Sequence, residues 1–296
     1  TAPEYSADKL YTQALYALGR TYVQNTRDKE AIAVLGKLVN NPPDSLFFHK
    51  ALLEIGMINA NSGKYEEALG YYKQIIEDKN ISEESQSALA GIENIYAQQN
   101  RQAEFLAYID KIGLSETKSA SERETMLFNS AEQVFLSGNY TAALNSLQQF
   151  LEKYPDGAKS SHAKFYIAES YNKLGKAEAA AQAYMQVMMG ATKQEDAFTE
   201  IATLNYARLS YQLQKYDEAL RAYETIEQIA KLGNNKSEGT IGKMSSCYNL
   251  QDYRNALVAA NQVLALNLKE GAVVREANYI KAKSLMAEGE RSSASD

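Results

Sequence analysis

The sequence predicts an all-α solenoid of about seven helical hairpins followed by a terminal helix, and three observations point there. First, Ala31, Ala68, Ala143, Ala180, Ala219, Ala256 and Ala294 recur about every 37 residues or at twice that interval, with Phe105 on the skipped rung. Second, twelve residues before each rung stands Gly19, Gly56, Glu93, Ala131, Ala168, Ala207, Met244 or Ala282. Small residues at two fixed points per repeat let two helices cross closely, where larger side chains would hold the backbones apart. Third, an apolar side chain follows seven residues after each rung: Leu38, Ile75, Ile112, Phe150, Val187, Ile226 and Val263. Self-similarity at a fixed period of this length marks repeats that stack into a continuous core.

The composition agrees. Apolar residues make up 45% of the 296, enough for such a core, and only 4 are proline. Ala, Leu, Gln, Glu and Lys abound, so the chain reads as nearly all helix. The formal net charge is −6, and no run of basic residues offers the Lys/Arg footprint that a nucleic-acid partner requires. No stretch approaches the roughly 20 apolar residues needed to cross a bilayer, so direct membrane insertion is not expected. The chain starts at Thr1 with no initiator Met and no signal-peptide core, as expected of a processed product or an excerpt.

Taken in order, the units start near Leu10, Phe48, Ser87, Glu124, Ser161, Glu200 and Gly239. Residues 1–112 hold repeats one to three. The third is the most degenerate, with Glu93, Gln102 and Phe105 in place of small and aromatic residues. Residues 113–121 are linker-like, a place for a bend, and Ser121 to Glu124 reads as a capping box opening the next helix. Residues 122–288 hold repeats four to seven and the first helix of an eighth. Residues 289–296 read as a turn at Gly289 and the truncated start of a last helix, with Ala294 on the ladder and the natural protein continuing beyond Asp296; a solo terminal helix capping the last repeat is the alternative.

The fourth unit shows the grammar best. Leu127, Ala131, Val134 and Phe135 mark one face of a first helix, and Gly138-Asn139 is a turn. Ala143, Leu147 and Phe150 form the buried stripe of a second helix, and Pro155 blocks its continuation. The phrases GKYEEAL at Gly63 to Leu69, KYDEAL at Lys215 to Leu220 and DYRNAL at Asp252 to Leu257 repeat it, with Tyr65, Tyr140, Tyr216 or Tyr253 as the aromatic.

This pattern resembles the tetratricopeptide repeat family, whose helix–turn–helix unit of about 34 residues is slightly shorter. The resemblance covers essentially the whole chain and implies a right-handed α-α superhelix. It also implies a concave face lined by the first helix of each unit. Some members grip a peptide carboxylate with Lys and Asn from successive first helices. The corresponding positions here are Tyr16, Arg20, Leu53, Glu54, Met57, Ser87 and Gly91, so that clamp is absent. A narrower likeness lies in Ser146 to Ala180, where F-L-x-x-Y-P precedes A-x-x-x-I-A-x-S-Y. It is similar to repeats of bacterial cell-envelope proteins, such as the outer-membrane assembly lipoprotein BamD and the Tol–Pal accessory protein. That implies a periplasmic or outer-membrane-associated place, with the cytoplasm as the alternative.

Catalytic chemistry finds few candidates. His49 and His162 lie three repeats apart, and the lone Cys247 cannot build a thiolate metal site, so no cofactor or metal is expected. Cys247 reads as an inert packing thiol, and Met185, Met188 and Met189 as adaptable core filler. Gly157-Ala-Lys-Ser lacks the upstream glycine and strand of a phosphate loop. Glu66-Glu67 and Glu83-Glu84 are solvated helix faces and caps.

The ladder also ranks groove positions. One row of the first helices is Tyr16, Leu53, Ala90, Phe128, Phe165, Leu204, Ile241 and Tyr279. A second is Arg20, Met57, Asn94, Glu132, Glu169, Arg208, Ser245 and Lys283, and a third includes Asn172, Tyr211 and Tyr248. Rigid aromatics beside orienting polar groups suit a protein-binding groove. The candidate partner-binding residues are therefore Tyr16, Arg20, Asn94, Phe128, Glu132, Phe165, Glu169, Asn172, Arg208, Tyr211, Tyr248, Tyr279 and Lys283. Packing between helices is the alternative role for the aromatics, above all in the first row. The reading is a non-catalytic scaffold binding a protein or extended peptide, in a bacterial envelope assembly. The alternative is a sensory or regulatory arm of a larger multidomain protein. A carbohydrate-binding role is disfavoured because the chain has no Trp. Ala143→Leu is expected to overpack its hairpin and cost about 1–3 kcal/mol, read by thermal unfolding.

Overall fold

The computed structural model describes residues 2–40, 45–77, 82–190, 197–266, 268–269 and 271–295; the side chains of 2–9, 45–46, 197 and 290–295 are not described. Among the described residues the chain is all helix, with fifteen α-helices and no strand. It divides into two compact units, Thr1–Ser119 and Ala120–Asp296.

The first unit holds three hairpins: α1 (Ala2–Gln24) with α2 (Asp28–Asn40), α3 (Ser45–Asn61) with α4 (Tyr65–Glu77), and α5 (Glu83–Gln98) with α6 (Gln102–Lys111). A single 3-10 turn, Ser115–Thr117, follows. The second unit holds four: α7 (Ala120–Leu136) with α8 (Tyr140–Lys153), α9 (Ser160–Lys173) with α10 (Ala177–Gly190), α11 (Ala197–Gln212) with α12 (Tyr216–Ile229), and α13 (Gly233–Asn249) with α14 (Tyr253–Ala265). The terminal α15 (Ala272–Ser295) packs on α13 and α14.

Each hairpin turn is built alike. Thr26, Gly63, Asn100, Gly138, Gly175, Gln214 and Gln251 all take positive φ, between 56° and 83°. This left-handed residue reverses the chain so that the next N–H reaches back to a carbonyl of the last helical turn. At Gly175, for instance, its own N–H donates to Asn172 O at 3.0 Å and Lys176 N–H donates to Tyr171 O at 3.0 Å. Only Gly takes that conformation without strain, yet four of the seven turns use another residue.

The two ladders meet inside each hairpin. Ala31, Ala68, Phe105, Ala143, Ala180, Ala219 and Ala256 are fully buried. Four residues after them come Leu35, Tyr72, Ile109, Leu147, Tyr184, Tyr223 and Ala260, all buried and all but the last large. These side chains fill the space that the first-helix ladder leaves free. A Cβ at Gly19 would lie 2.5 Å from Leu35, and one at Gly56 2.5 Å from the Tyr72 ring. Within each unit the first helices also touch one another, α1 to α3 to α5 and α7 to α9 to α11 to α13 to α15. Among the described residues the second helices show no such succession, so the first helices form the more closely spaced inner layer.

Three expectations need correction. Gly289 makes no turn, because α15 runs unbroken from Ala272 to Ser295. A glycine inside a helix costs about 1 kcal/mol relative to Ala, which does not by itself break the ladder of backbone bonds. Ala282, on the small-residue ladder, is exposed there, while the Ala294 side chain and Asp296 lie outside the described residues. Ser121 is not a cap either. Helix α7 begins one residue earlier, at Ala120, and Glu124 instead crosses to the turn before α9, where it accepts from Lys159 N–H at 2.8 Å. Met189 is 75% exposed, whereas Met185 and Met188 pack on the core. At the third repeat, Glu93 in its ladder position meets Lys118 at 2.7 Å, so a charge pair occupies space that a small residue leaves elsewhere.

Replacing a strained left-handed residue should stabilise the unit that contains it. Gln251→Gly is expected to raise the unfolding free energy by about 0.5–1 kcal/mol, relief of strain outweighing the added chain entropy, as read by urea denaturation.

Candidate inner-face binding surface

The second row of the inner layer is a line of cross-links. Arg20 on α1 meets Glu54 of α3 at 3.4 Å, and Tyr16 O–H donates to the same carboxylate at 3.3 Å. Glu132 on α7 accepts from Tyr166 O–H of α9 at 2.8 Å, and Glu169 on α9 accepts from Asn205 Nδ2 of α11 at 3.1 Å. Arg208 on α11 grips Glu238 of α13 with two bonds of 2.6 Å, and its Nη1 also donates to Asn205 Oδ1 at 3.0 Å. Ser245 on α13 donates to Glu276 of α15 at 3.1 Å. Two parallel N–H···O bonds fix a guanidinium and a carboxylate in one plane, so the Arg208 pair sets spacing as well as affinity.

The third row adds rings. Tyr211 O–H accepts from Asn249 Nδ2 at 3.0 Å, and its ring lies 5.3 Å from Tyr216. Tyr248 lies edge-on to Tyr253 and to Tyr279, at 6.1 Å from each. Lys283 Nζ sits 5.9 Å above the Tyr279 ring, which is 53% exposed. Asn172 is exposed and donates to Tyr184 O–H at 3.5 Å, while that hydroxyl donates a short bond to Glu169. Arg20, Asn94, Asn172, Arg208, Tyr279 and Lys283 are thus exposed, and Tyr16, Glu132, Glu169, Tyr211 and Tyr248 half-buried.

Phe128 and Phe165 belong to the core, not to a binding surface. Phe128 is 2% exposed and packs 5.7 Å from Phe150, while Phe165 packs 4.7 Å from Phe198. At these two positions the ring is packed among neighbouring helices, where a phenyl group gains more by burial than by facing water. His162 lies in the same layer, 4.6 Å from Phe198.

The cross-link partners Glu54, Tyr166, Asn205, Glu238 and Glu276 are absent from the candidate residues that the sequence supplied. They precede Met57, Glu169 and Arg208 by three residues, and Ser245 and Lys283 by seven. Those offsets are one or two helical turns on the same face, so the signal was present as a second periodic polar row.

Protonation states fit a structural surface. Burial pushes the Tyr16 and Tyr166 hydroxyls up to about 12, with Glu54 and Glu132 adding to it, so both stay neutral donors. Burial likewise raises the Cys247 thiol to about 11, which keeps it a poor nucleophile. Among the described residues no three His, Cys, Asp or Glu are grouped to hold a metal ion, and no helix is long and apolar enough to cross a membrane.

Glu200, at the start of α11, docks into the turn before α13. Its carboxylate accepts from Lys231 N–H at 3.0 Å and from Asn235 Nδ2 at 2.7 Å. Burial opposes its ionisation, but those bonds and the Leu232 N–H hold the carboxyl below its usual 4.5. A depressed carboxyl stabilises the fold above the ordinary carboxylate value and loses that contribution as pH falls through the lower folded value. Glu200→Gln is therefore expected to lower the melting temperature at pH 7 and to flatten its decline on acidification below pH 4.5, read by calorimetry across pH.

Residues 114–233 match the family model of a tetratricopeptide repeat-like domain, and residues 13–45 and 50–78 match the tetratricopeptide repeat model. A TPR repeat-containing protein of Methanocaldococcus jannaschii is 32% identical over 87 residues, 29% of this chain and 26% of that protein. The chain thus spans about a quarter of that relative's length. Among solved structures, a chain of the Naa15/Naa10 complex bound to HypK-THB aligns with 93% of this chain and 39% of its own, at 15% identity and a TM-score of 0.47. The TPR2AB domain of yeast Sti1, in a pHSP90 complex, aligns with 93% of this chain and 99% of its own, at 18% identity and a TM-score of 0.42.

Proposed function

We propose that this chain, whose hairpins carry tetratricopeptide repeats, is a non-catalytic scaffold that binds a protein or extended peptide along its first helices. Repeats of this family generally mediate protein–protein interaction and are typically non-catalytic. The observation that carries the reading is the set Arg208, Tyr211, Tyr248, Tyr279 and Lys283, drawn from all three rows. These side chains are exposed or half-buried, and each is braced by a neighbour. Braced aromatics and cations bind at low entropic cost, because few rotamers remain to be frozen. The same wall displays the Glu132, Glu169 and Glu276 carboxylates, so a partner meets alternating charges rather than a field of one sign.

We place the scaffold in a bacterial cell-envelope assembly, periplasmic or outer-membrane-associated. The support is the Tyr-Pro phrase within Ser146 to Ala180 and its likeness to envelope repeat proteins. Co-purification from the source organism should recover a protein partner that Tyr279→Ala/Lys283→Ala captures at least tenfold less well, with an unchanged circular dichroism spectrum. Full retention by that variant and by Tyr248→Ala would move the site off this wall. Fractionation of the same cells should find the chain with the envelope; recovery in the cytoplasmic fraction overturns the location and leaves the scaffold standing.

A further inference from the structure

One pair of neighbouring first helices breaks the cross-linking rule. Between α3 and α5 the second-row residue is Met57, which is apolar and 40% exposed, and the facing turn of α5 carries Ala90 and Gly91. At this level the two helices present no pair of polar side chains to bridge them. A furrow of about 350 Å³ opens instead, at the low end of the size of ligand sites. Its floor is the Tyr72 ring, wedged from α4 between two glycines: a Cβ at Gly56 would lie 2.5 Å from it and one at Gly91 2.7 Å. Leu53, Met57, Ala90 and Ile95 supply apolar wall.

The rim is polar but carries no charge. Tyr65 O–H donates to Gln98 Oε1 at 3.0 Å, and Gln98 Nε2 donates to Asn94 Oδ1 at 3.2 Å. This relay spends the Asn94 oxygen internally and leaves its NH₂ as a donor at the lip, where a backbone carbonyl would accept. Asn61 and Ser87 are the other polar groups at the edge. A carboxylate or ammonium entering here would shed water with no opposite charge to receive it.

We infer that this furrow takes a single apolar side chain, of leucine or methionine size, from an extended and uncharged segment inside a partner protein. The Asn94 amide holds the neighbouring backbone carbonyl. The inference rests on the scaffold reading above and gives one of its contacts a chemistry. It also excludes a peptide C-terminus as the anchor, since no cation lines the furrow to receive a carboxylate.

The test is selection of random dodecapeptides displayed internally on phage, with no free terminus, against the full chain. Ala90→Leu, which fills the furrow from an exposed position, serves as counter-selection. The expected winners carry one apolar residue among uncharged neighbours, bind Ala90→Leu at least tenfold more weakly and lose several-fold on Asn94→Ala. The melting temperature of Ala90→Leu should match the parent, which separates blocking from unfolding. Winners that need a charged residue, or that bind Ala90→Leu unchanged, overturn the furrow but leave the scaffold reading in place. Failure of any peptide to enrich overturns both.

Discussion

The chain depends on close backbone approach at each helix crossing, and that approach depends on the absence of bulk. Where Gly19 or Gly56 sits, a side chain from the second helix of the same hairpin already occupies the position that a Cβ would take. At these two crossings the large residue is the second helix's, and the missing one is the first helix's. This one-sided fit fixes which helix intrudes and which yields, and so fixes the register of those hairpins. Close-packed interiors tolerate little adjustment, which is why a spacing of about 37 residues persists while most surface positions drift.

A second consequence is a division of labour between the two helices of a hairpin. The second helices supply the bulk, through Tyr72, Tyr184 and Tyr223, and turn their remaining faces outward. The first helices stand close enough to reach one another, so their polar side chains engage neighbours across a repeat. Arg208 and Glu238, Glu169 and Asn205, and Glu132 and Tyr166 are products of that proximity. The inner layer is therefore both mortar and display surface, and residues that brace it also shape what a partner meets.

Much of this was legible in the sequence, for a definite reason. Packing at crossings demands a residue type at a fixed interval, and types at intervals are what a sequence records. Thus the alanine rungs, the Gly138 turn and the seven hairpins were all readable before any coordinates. The candidate surface was readable only in part. Phe128 and Phe165 share a row with Tyr16 and Tyr279, and periodicity cannot tell a ring turned between helices from one turned to water. Gly289 matched the turn position, but a lone glycine permits a turn without requiring one. The left-handed residues Thr26, Gln214 and Gln251 left no mark, because the reversal there is imposed by packing on both sides, not by local preference.

The cross-links within each unit have one more property, which concerns the path to the folded state. Arg20 to Glu54, Glu132 to Tyr166, Glu169 to Asn205 and Ser245 to Glu276 each close a chain segment of nearly the same length. Closure entropy grows only with the logarithm of that length, so every step of assembly faces almost the same cost. No contact has to wait for a distant one. Each unit can therefore be pictured as a zipper, nucleating at any hairpin whose two helices have met and advancing by equal strides in both directions.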